Sequence, residues 1–132
     1  MVAAFPLLEL VQSRYADHKI VAPGEGMADN IAHHGYVVGA DVAEWRRQDL
    51  ANLAVRQSYG GAVQVEQKGG NPSVDPVLPL VWLAKHLHGL GEHLRAGQVV
   101  TTGTYTGCIF VPPGQRVVAG FEGFGEVVCD LA

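Results

Sequence analysis

Val99-Val-Thr-Thr-Gly-Thr-Tyr-Thr-Gly107, Val111-Pro-Pro-Gly-Gln-Arg-Val-Val-Ala-Gly-Phe121 and Glu122-Gly-Phe-Gly-Glu-Val-Val128 close the 132-residue chain. In each piece β-branched residues alternate with glycine and proline, the pattern of short strands joined by tight turns. The spacing predicts three consecutive strands at the end of the chain, and the rest of the sequence has to fit around them.

Working outward, the nearest upstream element is a helix over 76–90. Val77, Leu80, Val81, Ala84 and Leu87 recur at helical spacing, and Leu83 and Leu90 widen the stripe. Asp75 is the N-cap candidate and Pro76 takes the first helical position, where its missing N–H costs nothing. Gly91 supplies the stop. A stripe of this width calls for packing on the sheet that the flanking strands make.

Before the helix, Ala62-Val-Gln-Val-Glu-Gln67 alternates at period two after Gly60-Gly61, which predicts a hairpin starting near Leu53 and ending in the loop 68–73. Tyr36-Val-Val-Gly-Ala40 is a further strand by its β-branched content. Residues 42–54 settle on neither period. Residues 15–26, with Pro23, Gly24 and Gly26, read as a loop, and Asp29 or Asn30 as the cap of a short helical turn.

At this length the chain is one domain spanning 1–132. Its composition, 48% hydrophobic and 17% charged, is globular. Nine basic residues against thirteen acidic ones give a net charge of -4. The basic residues are scattered apart from Arg46-Arg47, so no stripe tracks a phosphate backbone and nucleic acid is not an expected partner. Every apolar run breaks well before the roughly 18 residues of a membrane span. The first eight residues have no basic region and meet Glu9 too soon for a signal peptide, so the expected location is cytoplasmic. Cys108 and Cys129 lie in strand-like surroundings and read as small buried free thiols.

One acidic residue stands out. Glu9 interrupts the apolar run 5–11, read here as a buried strand. Burying an isolated carboxylate costs several kcal/mol, so it is paired, hydrogen-bonded or metal-bound. Arg14 is the neighbour that offers the ion pair. The histidines offer no joint metal site. His86 and His88 lie on nearly opposite helix faces, and of adjacent His33 and His34 only one side chain points at a given place.

Four ordered pieces now carry a family resemblance: Leu8-Glu-Leu-Val-Gln-Ser-Arg14; Met27-Ala-Asp-Asn-Ile-Ala32 leading into Tyr36-Val-Val-Gly39; Asp75-Pro-Val-Leu-Pro-Leu-Val-Trp-Leu-Ala84; and Leu94-Arg-Ala-Gly-Gln-Val-Val-Thr-Thr-Gly-Thr104 followed by Ala119-Gly-Phe-Glu-Gly-Phe-Gly-Glu-Val127. Together they resemble the C-terminal half of the 2-keto-4-pentenoate hydratase family, within the fumarylacetoacetate hydrolase superfamily. The resemblance implies an α+β, β-rich fold, a mixed rolled β-sheet around one main helix. It also implies a divalent ion, magnesium or manganese, held by three carboxylates. Glu9 matches the Glu of the family's Glu-x-x-Asp-Ser-Arg motif, and a hard cation takes such an oxygen ligand. Gln12 stands where that motif has Asp. The other two metal carboxylates and the main acid/base residues of the family belong to its N-terminal half, which would precede Met1, so no catalytic residue is assigned.

The chemistry implied is hydration of a small 2-oxo or 2-hydroxy-dienoate acid. A metal chelated by the substrate acts as Lewis acid, and a base activates water. Decarboxylation or C–C bond hydrolysis of a related 2-oxo acid begins the same way. By resemblance, Thr102, Gly103 and Thr104 form a turn that holds the substrate carboxylate, Asp29 belongs to the family's Ala-Asp-Asn element, and Arg14 is an anion contact. Lys68, in a glycine-rich loop, is solvated instead. The rival reading is a non-catalytic binding or assembly module, whose exposed apolar surface calls for a second copy or for a partner equivalent to the family's N-terminal half.

Overall fold

The computed structural model describes residues 3–132. Two antiparallel sheets and one long helix make up its frame. Strands β1 (Leu7–Val11) and β2 (His33–Val38) pair as a two-stranded sheet, with Glu9 opposite Tyr36 and a bulge between Leu10 and Val11. Strands β3 (Ala54–Tyr59), β4 (Ala62–Lys68), β5 (Arg116–Phe121) and β6 (Gly125–Asp130) form the second sheet in the order β4-β3-β5-β6.

Both hairpins of the larger sheet follow from the sequence. Gly60 and Gly61 adopt φ of +56° and +77°, the left-handed pair that a tight two-residue turn requires. Inward residues of β3, β5 and β6 alternate as expected, and Val55, Val117, Ala119 and Val127 are buried. Trp45, Leu53 and Phe124 form the centre of a hydrophobic cluster flanked by Ala4, Val42, Leu50, Tyr105 and Phe121. Trp45 reaches it from a 3-10 turn, Trp45–Arg47, and a second such turn, Leu50–Asn52, leads into β3. Two short turns explain why neither period fits 42–54. Tyr105 closes the cluster, its ring edge-on to Phe121 at 4.8 Å and its hydroxyl donating to the Leu50 carbonyl at 2.6 Å. Burial pushes the Tyr105 phenol above its usual value, and the Asp75 charge adds to that.

The two sheets meet where β1, β2 and β6 abut. Gly39 makes the junction: its N–H donates to Pro6 O at 2.8 Å, and a Cβ there would sit 2.7 Å from Pro6 Cγ and 3.0 Å from Glu126 O.

The structure departs from the sequence-based expectations at several places. The chain ends in two strands rather than three, because residues 99–104 form no ladder. There the Thr102 carbonyl accepts from the Asn71 side chain, and Gly103 and Gly107 take left-handed φ of +99° and +72°. Within 15–26 the chain starts a short helix, α1 (Pro23–Ala28), with Pro23 at its first turn and the Glu25 carboxylate accepting the Ala22 N–H at 2.8 Å. The main helix, α2, spans Val77–Gly89 with Pro76 rather than Asp75 at its N-cap position, and Asp75 Oδ1, one residue further out, accepts the Val77 N–H at 2.9 Å. No residue of α2 is buried. Val77, Leu80, Leu83 and Leu87 are half-buried while Leu78, Val81 and Trp82 face outward, so the helix is not packed into the sheet as its stripe predicted. The cysteines are free, yet Cys108 is exposed and Cys129 half-buried, so neither is a core thiol.

Candidate functional site

The residues singled out at the start of the chain come together across the β1–β2 pair. Ser13 and Arg14 follow β1, and Asp29 sits between α1 and the turn that feeds β2. The Asp29 side chain is 3% exposed. It accepts from Ser13 Oγ at 2.6 Å, from the Arg14 backbone N–H at 3.2 Å and from Arg14 Nη1 at 3.0 Å. The same guanidinium donates to the Asp29 carbonyl at 2.8 Å. The Ser13 hydrogen bond lowers the Asp29 pKa; burial opposes it, and the Arg14 bonds and charge add to the lowering. The Asp29 side chain therefore makes no capping bond, contrary to the helical-cap expectation, and only its backbone N–H closes the end of α1.

The segment after Asp29 is strained. Asn30, Ile31 and Ala32 all carry φ between 54° and 59°, a left-handed turn built without glycine. For a β-branched residue such as Ile31 this region costs about 1–2 kcal/mol. The Ala32 N–H donates to the Asp29 carbonyl at 3.0 Å, and Ala32 O accepts from Gln12 N–H at 2.8 Å. Ala32, the last residue of the turn, is thus tied through its N–H to Asp29 and through its carbonyl to Gln12 beside Ser13, and strain held in this way is a feature of functional sites.

Glu9 is not buried. Its carboxylate is 43% exposed and pairs with His33 Nδ1 at 2.7 Å, so the expected partner, Arg14, is committed to Asp29 instead. The β1 bulge explains the contact. It sets Val11 opposite His33, leaving Glu9 diagonal to the imidazole, while Tyr36 lies directly across from Glu9 with its ring centroid 6.1 Å from that of His33. Sequence reasoning missed His33 and Tyr36. They stand three apart on β2, a spacing that regular alternation sends to opposite faces, and only the bulge in the β1–β2 register brings both beside Glu9.

A divalent ion does not fit these residues on their own. Among the described residues no group of three His, Cys, Asp or Glu side chains is placed to hold a metal. Glu9 contributes one carboxylate, with one oxygen engaged by His33, where magnesium demands near-octahedral oxygen coordination.

Thr102, Gly103 and Thr104 take part in a different set of hydrogen bonds. They are set by Asn71, 5% exposed, whose Nδ2 donates to Thr102 O at 3.1 Å and whose Oδ1 accepts the Ser73 N–H at 2.9 Å. Thr104 Oγ1 accepts the Thr106 N–H at 3.2 Å. Among the described residues no hydrogen bond or ion pair joins this turn to Glu9, Arg14 or Asp29. Asn71 is a positioning residue that sequence reasoning left inside a hairpin loop. A shallow groove of about 370 Å³ crosses the larger sheet between Arg56, Ser58, Glu66, Gln67, Glu122 and Glu126, and none of the residues chosen from the sequence borders it.

The comparisons with known proteins agree with this architecture. The chain is 30% identical over 122 residues to a 4-oxalocrotonate decarboxylase of Pseudomonas putida, covering 92% of this chain and 46% of that protein. It is 32% identical over 122 residues to a 2-keto-4-pentenoate hydratase of Paraburkholderia xenovorans, covering 92% and 45%. Among solved structures, the 4-oxalocrotonate decarboxylase from Pseudomonas putida G7 complexed with magnesium and adipate superposes with a TM-score of 0.80 at 31% identity, over 96% of this chain and 48% of that one. The same enzyme complexed with calcium and acetate gives a TM-score of 0.76. The chain thus spans about half the length of the relatives it matches. A family model described as fumarylacetoacetate (FAA) hydrolase C-terminal matches residues 3–132, and the chain belongs to that family.

Proposed function

We propose that this chain forms the acid-binding part of a hydratase of the 2-keto-4-pentenoate type, acting on a small 2-hydroxy- or 2-oxo-dienoate. The observation that carries the reading is the double cross-link over the β1–β2 pair. Glu9 to His33 and Ser13–Arg14 to Asp29 bring three separately chosen residues to one strand pair. Arg14 is 62% exposed although its guanidinium is anchored on Asp29, so a positioned cation is left facing solvent where a carboxylate can reach it. The Glu9–His33 carboxylate–imidazole pair on the same strand pair is a group able to hold a proton for general acid–base work. Thr102 to Thr104 contribute hydroxyls and backbone N–H groups for the substrate's acid end. Magnesium or manganese is the cofactor of this reading, with Glu9 the one carboxylate this chain supplies.

The test is turnover of 2-hydroxypenta-2,4-dienoate, followed by loss of its ultraviolet absorbance with Mg2+ or Mn2+ present, beside a binding titration with the same acid. Saturable binding that Arg14→Gln weakens more than about tenfold supports the reading. A chain that neither turns over nor binds the dienoate sinks it.

A second reading changes the reaction to decarboxylation of a 2-oxo acid. It is favoured by the decarboxylase names of the two solved structures above. Carbon dioxide release from a 2-oxo dicarboxylate, without hydration of the dienoate, decides for it.

A further inference from the structure

Two side-chain amides, one at the end of β4 and one in the loop after it, hold the segment 102–105. Asn71 Nδ2 donates to the Thr102 carbonyl at 3.1 Å, and Gln67 Nε2 donates to the Tyr105 carbonyl at 2.6 Å. Asn71 is itself held at several points. It is 5% exposed, its Oδ1 accepts the Ser73 N–H at 2.9 Å, and its backbone carbonyl accepts the Val74 N–H at 2.9 Å. Its amide also lies against the next residue, since a Cβ on Gly103 would stand 3.3 Å from Asn71 Nδ2.

A carbonyl held in this way fixes the N–H that shares its peptide. The Thr102 carbonyl and the Gly103 N–H belong to one planar trans peptide, in which the two point in opposite directions. Drawing the carbonyl onto buried Asn71 therefore turns the Gly103 N–H away from the loop. Gly103 is exposed, and among the described residues its N–H has no acceptor. The Tyr105 carbonyl differs, because the N–H of its peptide, on Thr106, is taken by Thr104 Oγ1 at 3.2 Å. Of the two amide bonds, the one from Asn71 leaves a donor open.

We propose that Asn71 is a positioning residue for acid binding, which aims the Gly103 N–H at the carboxylate of the ligand without touching that ligand itself. The inference rests on the reading of Thr102 to Thr104 as the acid-holding turn. A donor aimed in advance needs no reorganisation when the anion arrives, and a backbone N–H in such a turn is a good anion donor.

Proton–nitrogen NMR of the 132-residue chain, read at the Gly103 amide, tests it. The probes are acetate and 2-hydroxypenta-2,4-dienoate, each compared with sodium chloride at equal ionic strength. Both carboxylates should move the Gly103 proton downfield and saturate, and chloride should not. Asn71→Leu, matched in size but lacking a donor, should weaken that response about tenfold or more, whereas Gln67→Met, which removes the other amide bond, should hold it within about threefold. Equal losses in the two variants would mark a merely structural role and overturn the proposal. Asn71→Ser replaces Asn71→Leu if the latter misfolds, and the native titration is decisive without either. A Gly103 amide that neither carboxylate moves also overturns the proposal, and dienoate binding seen elsewhere in the same spectra would leave the proposed function standing. An amide that acetate moves in a chain that does not bind the dienoate upholds the role of Asn71 and sinks the dienoate as substrate.

Discussion

Arg14 grips Asp29 at two points, its Nη1 lying 3.0 Å from the carboxylate and 2.8 Å from the backbone carbonyl of the same residue. Fixing both the side chain and the peptide of one residue locks the chain just before it enters the left-handed turn of residues 30–32. The clasp therefore orders the β1–β2 connection as well as orienting the guanidinium.

Because Ser13 and Arg14 hold the Asp29 pKa below its ordinary value of 3.8, folding favours the ionised form. A depressed folded pKa contributes stability above the unfolded pKa, and that stability is lost as pH falls through the folded value. Ser13→Ala removes the largest lowering contact. Its acid-unfolding transition should move to higher pH, and its deficit in stability relative to wild type should be full near neutrality, where Asp29 is ionised folded and unfolded, and should shrink as pH falls through the folded pKa. Acid titration followed by circular dichroism checks this. A transition that coincides with the wild type would separate the Ser13 contact from acid stability.

Glu9 and His33 form an exposed pair, and exposed ion pairs contribute no more than about 1 kcal/mol. Glu9→Gln and His33→Gln should each unfold within that margin of the wild type in urea. Folding is then no obstacle to reading their effect on Mn2+. With one carboxylate available, the isolated chain should bind Mn2+ no more tightly than the millimolar range, and Glu9→Gln should abolish that binding. A Mn2+ titration identical in wild type and Glu9→Gln would remove Glu9 from any metal role.

Local patterns carried much of the fold. The period-two run after Gly60-Gly61 and the helical recurrence from Val77 to Leu87 depend only on near neighbours, and both elements stand where those neighbours put them. What failed depended on distant contacts. Val99 to Thr104 has the composition of a strand, yet Asn71, 31 residues from Thr102, captures the carbonyl that a ladder would have used. Glu9 looked buried because its neighbours are apolar. Its actual partner lies 24 residues away, brought there by a bulge that leaves no mark in the composition. At the site, Arg14 and Asp29 entered through a family resemblance, and the coordinates add the contact between them. His33, Tyr36 and Asn71 were illegible because each acts through strand register or loop path.

Gly39 is required by close approach and not by its backbone angle. Gly39→Ala would drive a Cβ against Pro6 and the Glu126 carbonyl, both parts of the junction between the sheets, where backbone cannot yield cheaply. Overpacking of this kind costs about 1–3 kcal/mol. Urea unfolding should show a lower midpoint for Gly39→Ala, whereas Gly35→Ala, with open space around its Cβ, should stay within about 0.5–1 kcal/mol of wild type. Equal midpoints for the two variants would mean that the sheets do not meet at Gly39.

Ile31 offers the opposite case, a substitution that should stabilise. It holds φ of 54° while its side chain is 79% exposed, so it incurs left-handed strain and recovers little from burial. Ile31→Gly removes the steric cost of about 1–2 kcal/mol, offset in part by the greater entropy glycine has when unfolded. The net expectation is a gain of about 0.5–1 kcal/mol in urea unfolding. The same variant reports on function. If the turn's strain serves to position Asp29 and through it Arg14, relaxing the turn should weaken dienoate binding even as the fold gains stability. If the Arg14–Asp29 clasp is sufficient without the strained turn, stability should rise with binding unchanged.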